Sequence, residues 1–109
     1  MRLVRIIALA AILPCAAAAQ SYDGYCFAGD GCTGPVPLDG ATFYTCERNC
    51  VMENPVTVRG MDATLWDVTC RGDDGTGSYR LMMAWLSVDG RRSLLAVRTD
   101  RAEFLERCE

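Results

Sequence analysis

Two apolar runs meet at Asp89-Gly90 inside residues 79–98, and this pair limits the fold more than any other feature of the chain. Asp-Gly suits a two-residue type I′ turn, because Gly tolerates positive φ and Asp bonds the nearby backbone. Such a turn sets the register: Val88 faces Arg91, Leu86 faces Ser93, Trp85 faces Leu94, Ala84 faces Leu95 and Met82 faces Val97. One side of the hairpin then carries Met82, Ala84, Leu86, Leu95 and Val97, and the other carries Leu81, Met83, Trp85, Leu94 and Ala96. A hairpin with one wet face would alternate apolar and polar residues. Here both faces need cover.

The sequence offers two covers. Asp100 with Glu103 three residues on reads as a capping box, and Ala102, Phe104 and Leu105 give the following segment an apolar side, so a C-terminal helix ending near Cys108 is expected. Residues 20–39, punctuated by Gly24, Gly29, Gly31, Gly34, Pro35 and Pro37, read as an irregular arm. The helix is expected on one face, with the arm or a protein partner on the other, since bare Met, Trp and Leu would make a larger patch than monomers usually carry. The expected partner surface lies around Trp66 and Trp85 and the loop at residues 71–78, with Asp73, Asp74, Ser78 and Tyr79.

Residues 41–46 favour strand over a helix capped by Asp39. Residues 56–58 are a short extended piece after Pro55, and residues 63–70 alternate with Trp66, Val68 and Cys70 on one side. The expected fold class is α+β: a small disulfide-stapled antiparallel sheet of three or four strands, a C-terminal helix and an irregular N-terminal arm. No repeat or linker divides the chain.

The first residues indicate the compartment. Arg2 and Arg5 precede an unbroken apolar run at residues 6–13, and Ala16 to Ala19 supply small residues for cleavage before Gln20. This predicts a signal peptide over residues 1–19 and one domain over residues 20–109. The run is far shorter than the roughly 20 residues of a membrane span, so no transmembrane segment is expected. Pro14 stands where a lipoprotein signal places a small residue, which argues against lipidation of Cys15. The expected location is secreted or periplasmic.

Of the seven cysteines, Cys15 leaves with the leader, and six remain: Cys26, Cys32, Cys46, Cys50, Cys70 and Cys108. A domain this small buries a modest share of its surface, so disulfides are expected as structural staples. Proximity favours Cys26 with Cys32, leaving Cys70 and Cys108 to meet Cys46 and Cys50.

Composition removes many chemistries. The chain has no histidine and no lysine, its 11 basic residues all being arginine, so Ser-His-Asp and Cys-His pairs, imidazole metal ligands, Schiff bases and P-loops are excluded. A net charge of −3, more acidic once Arg2 and Arg5 are removed, argues against nucleic-acid binding. Cys46-x-x-x-Cys50 lacks the two-residue spacing of thioredoxin-like exchange and the free thiolates of a zinc site. Arg71-Gly72-Asp73 is a three-residue match to integrin ligands, and residues 73–77 lack the alternating oxygen ligands of an EF-hand. Of the carboxylates, Asp73 and Asp74 are adjacent and Glu103 and Glu106 fall at i, i+3, with nothing to converge them across a groove. No cofactor and no metal are expected.

Gly75-Thr76-Gly77-Ser78-Tyr79, followed by Trp85 and Asp89-Gly90, resembles the loop and strand of small periplasmic lysozyme inhibitors, which insert a Ser-containing loop into the lysozyme cleft. The resemblance covers this stretch alone, with Gly-Ser where that family has Ser-Gly. It implies inhibition of a basic hydrolase, to which an acidic chain would be steered electrostatically. The leading expectation is a non-enzymatic binding or interaction module; such an inhibitor, or a small carboxylate- or cysteine-dependent enzyme, is the alternative.

Overall fold

The computed structural model describes residues 22–29, 34–45 and 47–108. The predicted signal peptide, Cys32 and Cys46 lie outside them. Among the described residues nine strands follow in order: β1 (Tyr25–Phe27), β2 (Val36–Pro37), β3 (Thr42–Thr45), β4 (Arg48–Thr57), β5 (Ala63–Gly72), β6 (Gly75–Val88), β7 (Arg91–Val97), β8 (Ala102–Phe104) and β9 (Glu106–Arg107). Strands β3 to β8 form one curled antiparallel sheet in sequence order, and a small sheet of order β2-β1-β9 accompanies it.

The hairpin register is the one its turn dictates, Val88 to Arg91 through Met82 to Val97. Asp89 and Gly90 both adopt positive φ, 52° and 78°, as a type I′ turn requires. β5 places Trp66, Val68 and Cys70 inward as the alternation predicts, and residues 42–45 are strand.

The expected α+β class is overturned, because no described residue is helical and the sheet has six strands rather than three or four. The segment expected as a capped helix is β8 and β9. After a turn in which the Arg98 N–H donates to the Arg101 carbonyl, β8 pairs with β7, the Leu105 N–H donates to the Leu94 carbonyl, and the Cys108 N–H donates to the Gly24 carbonyl. A helix of some two turns is marginal by itself. As strand, the same residues occupy the free edge of β7, bury Leu105 and bring Cys108 to Cys26.

The expected pairing of Cys26 with Cys32 is likewise replaced. Cys26 bonds Cys108, joining the first and last described strands' surroundings, and Cys50 bonds Cys70 directly across β4 and β5. Closeness in sequence yields here to closeness in the sheet.

The arm covers the inner face of the curled sheet. Tyr22, Val36, Leu38 and Leu105 share one core with Phe43, Met52, Trp66, Val68, Leu81, Met83, Leu94 and Ala96. Around Trp66 the Nε1–H donates to the Tyr22 hydroxyl at 3.1 Å, so both buried polar tips are satisfied. The opposite face is less protected: Leu65, Met82, Leu86, Leu95 and Val97 are half-buried, and Val56 and Phe104 are exposed.

Burial raises the Tyr22 phenol above its ordinary 10.0, outweighing the hydrogen bond from Trp66 that acts in the other direction. The folded state therefore disfavours the phenolate, and this contribution to stability is intact below about pH 10 and lost as pH rises through the folded value. Tyr79 is shifted the same way by burial. Urea midpoints are expected to stay level from about pH 8 to 9.5 and to fall above about 10. Tyr22→Phe should flatten that fall while costing about 1–3 kcal/mol at neutral pH, because the indole N–H loses its acceptor. An unchanged alkaline slope in the variant would refute the assignment.

Candidate functional site

Among the described residues, the inner face is filled at one end by the arm and left open at the other. The opening follows from side-chain size. At the Cys70 to Gly77 pair the sheet has no side chain on β6, and a Cβ built on Gly77 would find its nearest neighbour, Arg48 Nη1, only at 3.9 Å. Ala96 is small on β7. Between these positions lies a cleft of about 360 Å³, within the ordinary range for small-ligand sites.

Its floor is apolar, made by the half-buried Phe27 over Val36, Phe43, Leu81 and Ala96, which are themselves closed within the core. The Phe27 and Phe43 rings lie with centroids 5.0 Å apart. Its rim is polar. Strand alternation places Arg98 on the same side of β7 as Leu94 and Ala96, and Glu103 of β8 faces Ala96. Tyr79 faces Val68 on the inner side, with Arg48, Thr45 and Arg101 completing the rim.

Two rim arginines are held in place. The Arg98 guanidinium lies 4.0 Å from the centroid of the Tyr79 ring and pairs with Asp100 at 3.3 Å. Arg48 binds both carboxylate oxygens of Asp74, through Nε and Nη2. The hydrogen bond from Arg48 holds the Asp74 carboxyl below its usual range. Arg101 is exposed and makes no ion pair among the described residues. For the Tyr79 phenol burial dominates upward, Arg98 and Arg101 pull it down, and Glu103 pushes it up, so the charges of all three reach this one hydroxyl. Near neutral pH the phenol is protonated and can donate or accept a hydrogen bond.

Arg48 also depends on a glycine. A Cβ on Gly72 would sit 2.8 Å from Arg48 Cγ and 3.2 Å from the Glu47 carbonyl. Gly72→Ala is therefore expected to displace Arg48 from Asp74 and alter the rim, with little loss of global stability because the pair is exposed. Amide chemical shifts of Asp74 and Gly77 report it; unperturbed shifts would show that Arg48 accommodates the methyl group.

The residues expected at a partner surface are dispersed. Trp66 is 3% exposed, within the core. Trp85 is half-buried, with the Tyr25 ring at 5.3 Å and the Arg92 guanidinium at 4.3 Å from its centroid. The expected 71–78 loop contracts to the turn at Asp73 and Asp74, since β5 runs to Gly72 and β6 begins at Gly75, whose φ of 122° admits the sharp reversal. Ser78, in the stretch that resembles the lysozyme inhibitors, is thus paired strand opposite Thr69 rather than a projecting loop. Of these six, Ser78 and Tyr79 border the cleft, and Tyr79 carries the Arg98 guanidinium over its ring.

Asp73 and Asp74 sit at the hairpin turn, Glu103 lies in the cleft, and Glu106 is exposed on β9. Cys26, Cys50 and Cys70 are buried. Among the described residues no group of three or more acidic or cysteine side chains could hold a metal ion, and no helix is long and apolar enough to cross a membrane. The two disulfides among the described residues are compatible with an extracellular or periplasmic location.

The sequence pointed to Tyr79 for another reason and missed the arginines. Arg98 and Arg101 flank a turn that reads as a helix start, and only the strand pairing of β8 turns Glu103 and the two guanidinium groups towards one space. Comparison of the chain with family models, curated proteins and solved structures finds no match.

Proposed function

We propose that this chain is a small secreted or periplasmic binding module, without catalytic activity, whose ligand occupies the inner-face cleft. The observation that carries the reading is the cleft itself: an apolar floor beneath convergent polar groups, set in a sheet cross-linked by Cys50–Cys70. Ligand sites take this form, with hydrophobic walls providing contact area and a few polar groups providing orientation. A rim already braced by a ring stack and two ion pairs has less side-chain freedom to lose on binding. The signal-peptide reading of residues 1–19 supports the location.

Amide chemical-shift mapping with a library of small soluble ligands tests the proposal. Perturbations are expected to centre on Gly77, Tyr79, Ala96, Arg98 and Glu103. Shifts confined to the outer rows of the sheet, or no shifts with any ligand class, would refute it.

A further inference from the structure

We infer that the outer face of β3, β4 and β5 holds a second site, independent of the inner cleft, for an uncharged sugar whose ring stacks on Tyr44 and whose hydroxyls bond Asn49, Glu53 and Arg71. A groove of about 380 Å³ lies there, lined by the residues that alternate with those of the cleft along the same three strands. Register builds it. Tyr44 faces Asn49 and Asn49 faces Arg71 in one row, and Thr42, Val51 and Thr69 form the next. The long side chains of Tyr44 and Arg71 stand two strand spacings apart, about 10 Å, with the shorter Asn49 and Val51 between them. The Cys50–Cys70 bridge ties β4 to β5 beneath.

Four side chains of the groove are uncommitted. Tyr44 is 66% exposed, and Asn49, Glu53 and Arg71 are exposed as well. Among the described residues none of the four has a side-chain hydrogen bond, an ion pair or a ring contact. Thr42 and Thr69 differ, since their hydroxyls already engage the Asp39 carbonyl and the Ser78 hydroxyl.

This set fits a polyhydroxylated ring. The groove holds one guanidinium, Arg71, and one carboxylate, Glu53, while the neighbouring Asp67 is paired with Arg80, so no net charge selects a charged ligand. Arg71 only donates, Glu53 only accepts and the Asn49 amide does both, which matches hydroxyls that are each donor and acceptor. The electron-rich face of the Tyr44 ring receives the C–H groups of a sugar. A peptide lying over β4 finds no backbone partner there, because β4 is hydrogen-bonded to β3 on one side and to β5 on the other. An alkyl chain would meet only Tyr44 and Val51.

Glucose, galactose, mannose and N-acetylglucosamine are the neutral probes, with glucuronate and glucosamine as charged counterparts, titrated into the intact disulfide-bonded protein while side-chain NMR signals are followed. At least one neutral sugar is expected to shift the Tyr44 ring, the Asn49 amide and the Arg71 Nε–H, with the Tyr79 ring unmoved. Tyr44→Ala should weaken that binding about tenfold, whereas Tyr44→Phe, which keeps the ring, should stay within about twofold. Arg71→Ala should weaken it about fivefold. Both positions are exposed, so the variants should keep the parent's urea midpoint.

No shift with any of the four neutral sugars, or unchanged binding by Tyr44→Ala, would overturn the inference and leave the cleft reading untouched. Glucuronate or glucosamine binding about tenfold more tightly than glucose would overturn it in favour of a charged ligand held at Arg71 or Glu53. Sugar-induced shifts at Tyr79 and Arg98 instead of Tyr44 and Arg71 would overturn it and place the sugar in the inner cleft.

Discussion

Removing the Cys26–Cys108 disulfide by paired Cys→Ala substitution is expected to lower the unfolding free energy by about 4–5 kcal/mol, against about 3 kcal/mol for Cys50–Cys70. The difference follows from loop length: the first bridge closes a separation of 82 residues and the second one of 20, and a longer closed loop removes more entropy from the unfolded chain. For a domain whose total stability is on the order of 5–15 kcal/mol, the first loss is a large share of the whole. It also has a structural consequence. β9 pairs with β1 at only two positions, so without the covalent tie the chain's end and the arm that covers the inner face are held by few contacts. Urea unfolding of the two double variants measures both effects. A smaller loss for Cys26–Cys108 than for Cys50–Cys70 would show that residual structure or strain, rather than loop entropy, governs the staples.

The second large effect separates the faces of the sheet. Leu94→Ala is expected to cost about 3–4 kcal/mol, because Leu94 is 0% exposed amid the inner core and the rigid surroundings leave a cavity. Its neighbour Leu95, half-buried on the outer face, should cost about 1 kcal/mol on the same substitution. A slip of one residue in the β6–β7 register would exchange the two values, so denaturant midpoints of this pair of variants test the register itself. Equal costs would mean that something covers the outer face as completely as the arm covers the inner one.

The hairpin was legible from the sequence because its information is local. Asp89-Gly90 sets the turn, and period-2 alternation assigns Trp85 and Leu94 to one face and Ala84 and Leu95 to the other. The β5 strand was legible for the same reason. The C-terminal segment was not, since Asp100, Glu103 and the apolar residues after them satisfy helix rules that act within a single turn. The competing strand depends on partners far away in the chain: β7 at its edge, Gly24 at its end and Cys26 for its last cysteine. Long-range pairing of this kind overrides a weak local preference.

Composition alone determined which chemistries are closed to this chain, through the absence of histidine and lysine, and alternation alone determined that the hairpin would be apolar on both sides. Tertiary structure decided which cover each face received, which cysteines met, and that Arg98, Arg101 and Glu103 would border one cleft with Tyr79. The physical reason is the range of the interactions. Turn chemistry and strand period act over a few residues and are written in order along the chain. A cleft instead arises where residues from β4, β6, β7 and β8 are brought together by sheet curl and by the small side chains of Gly77 and Ala96.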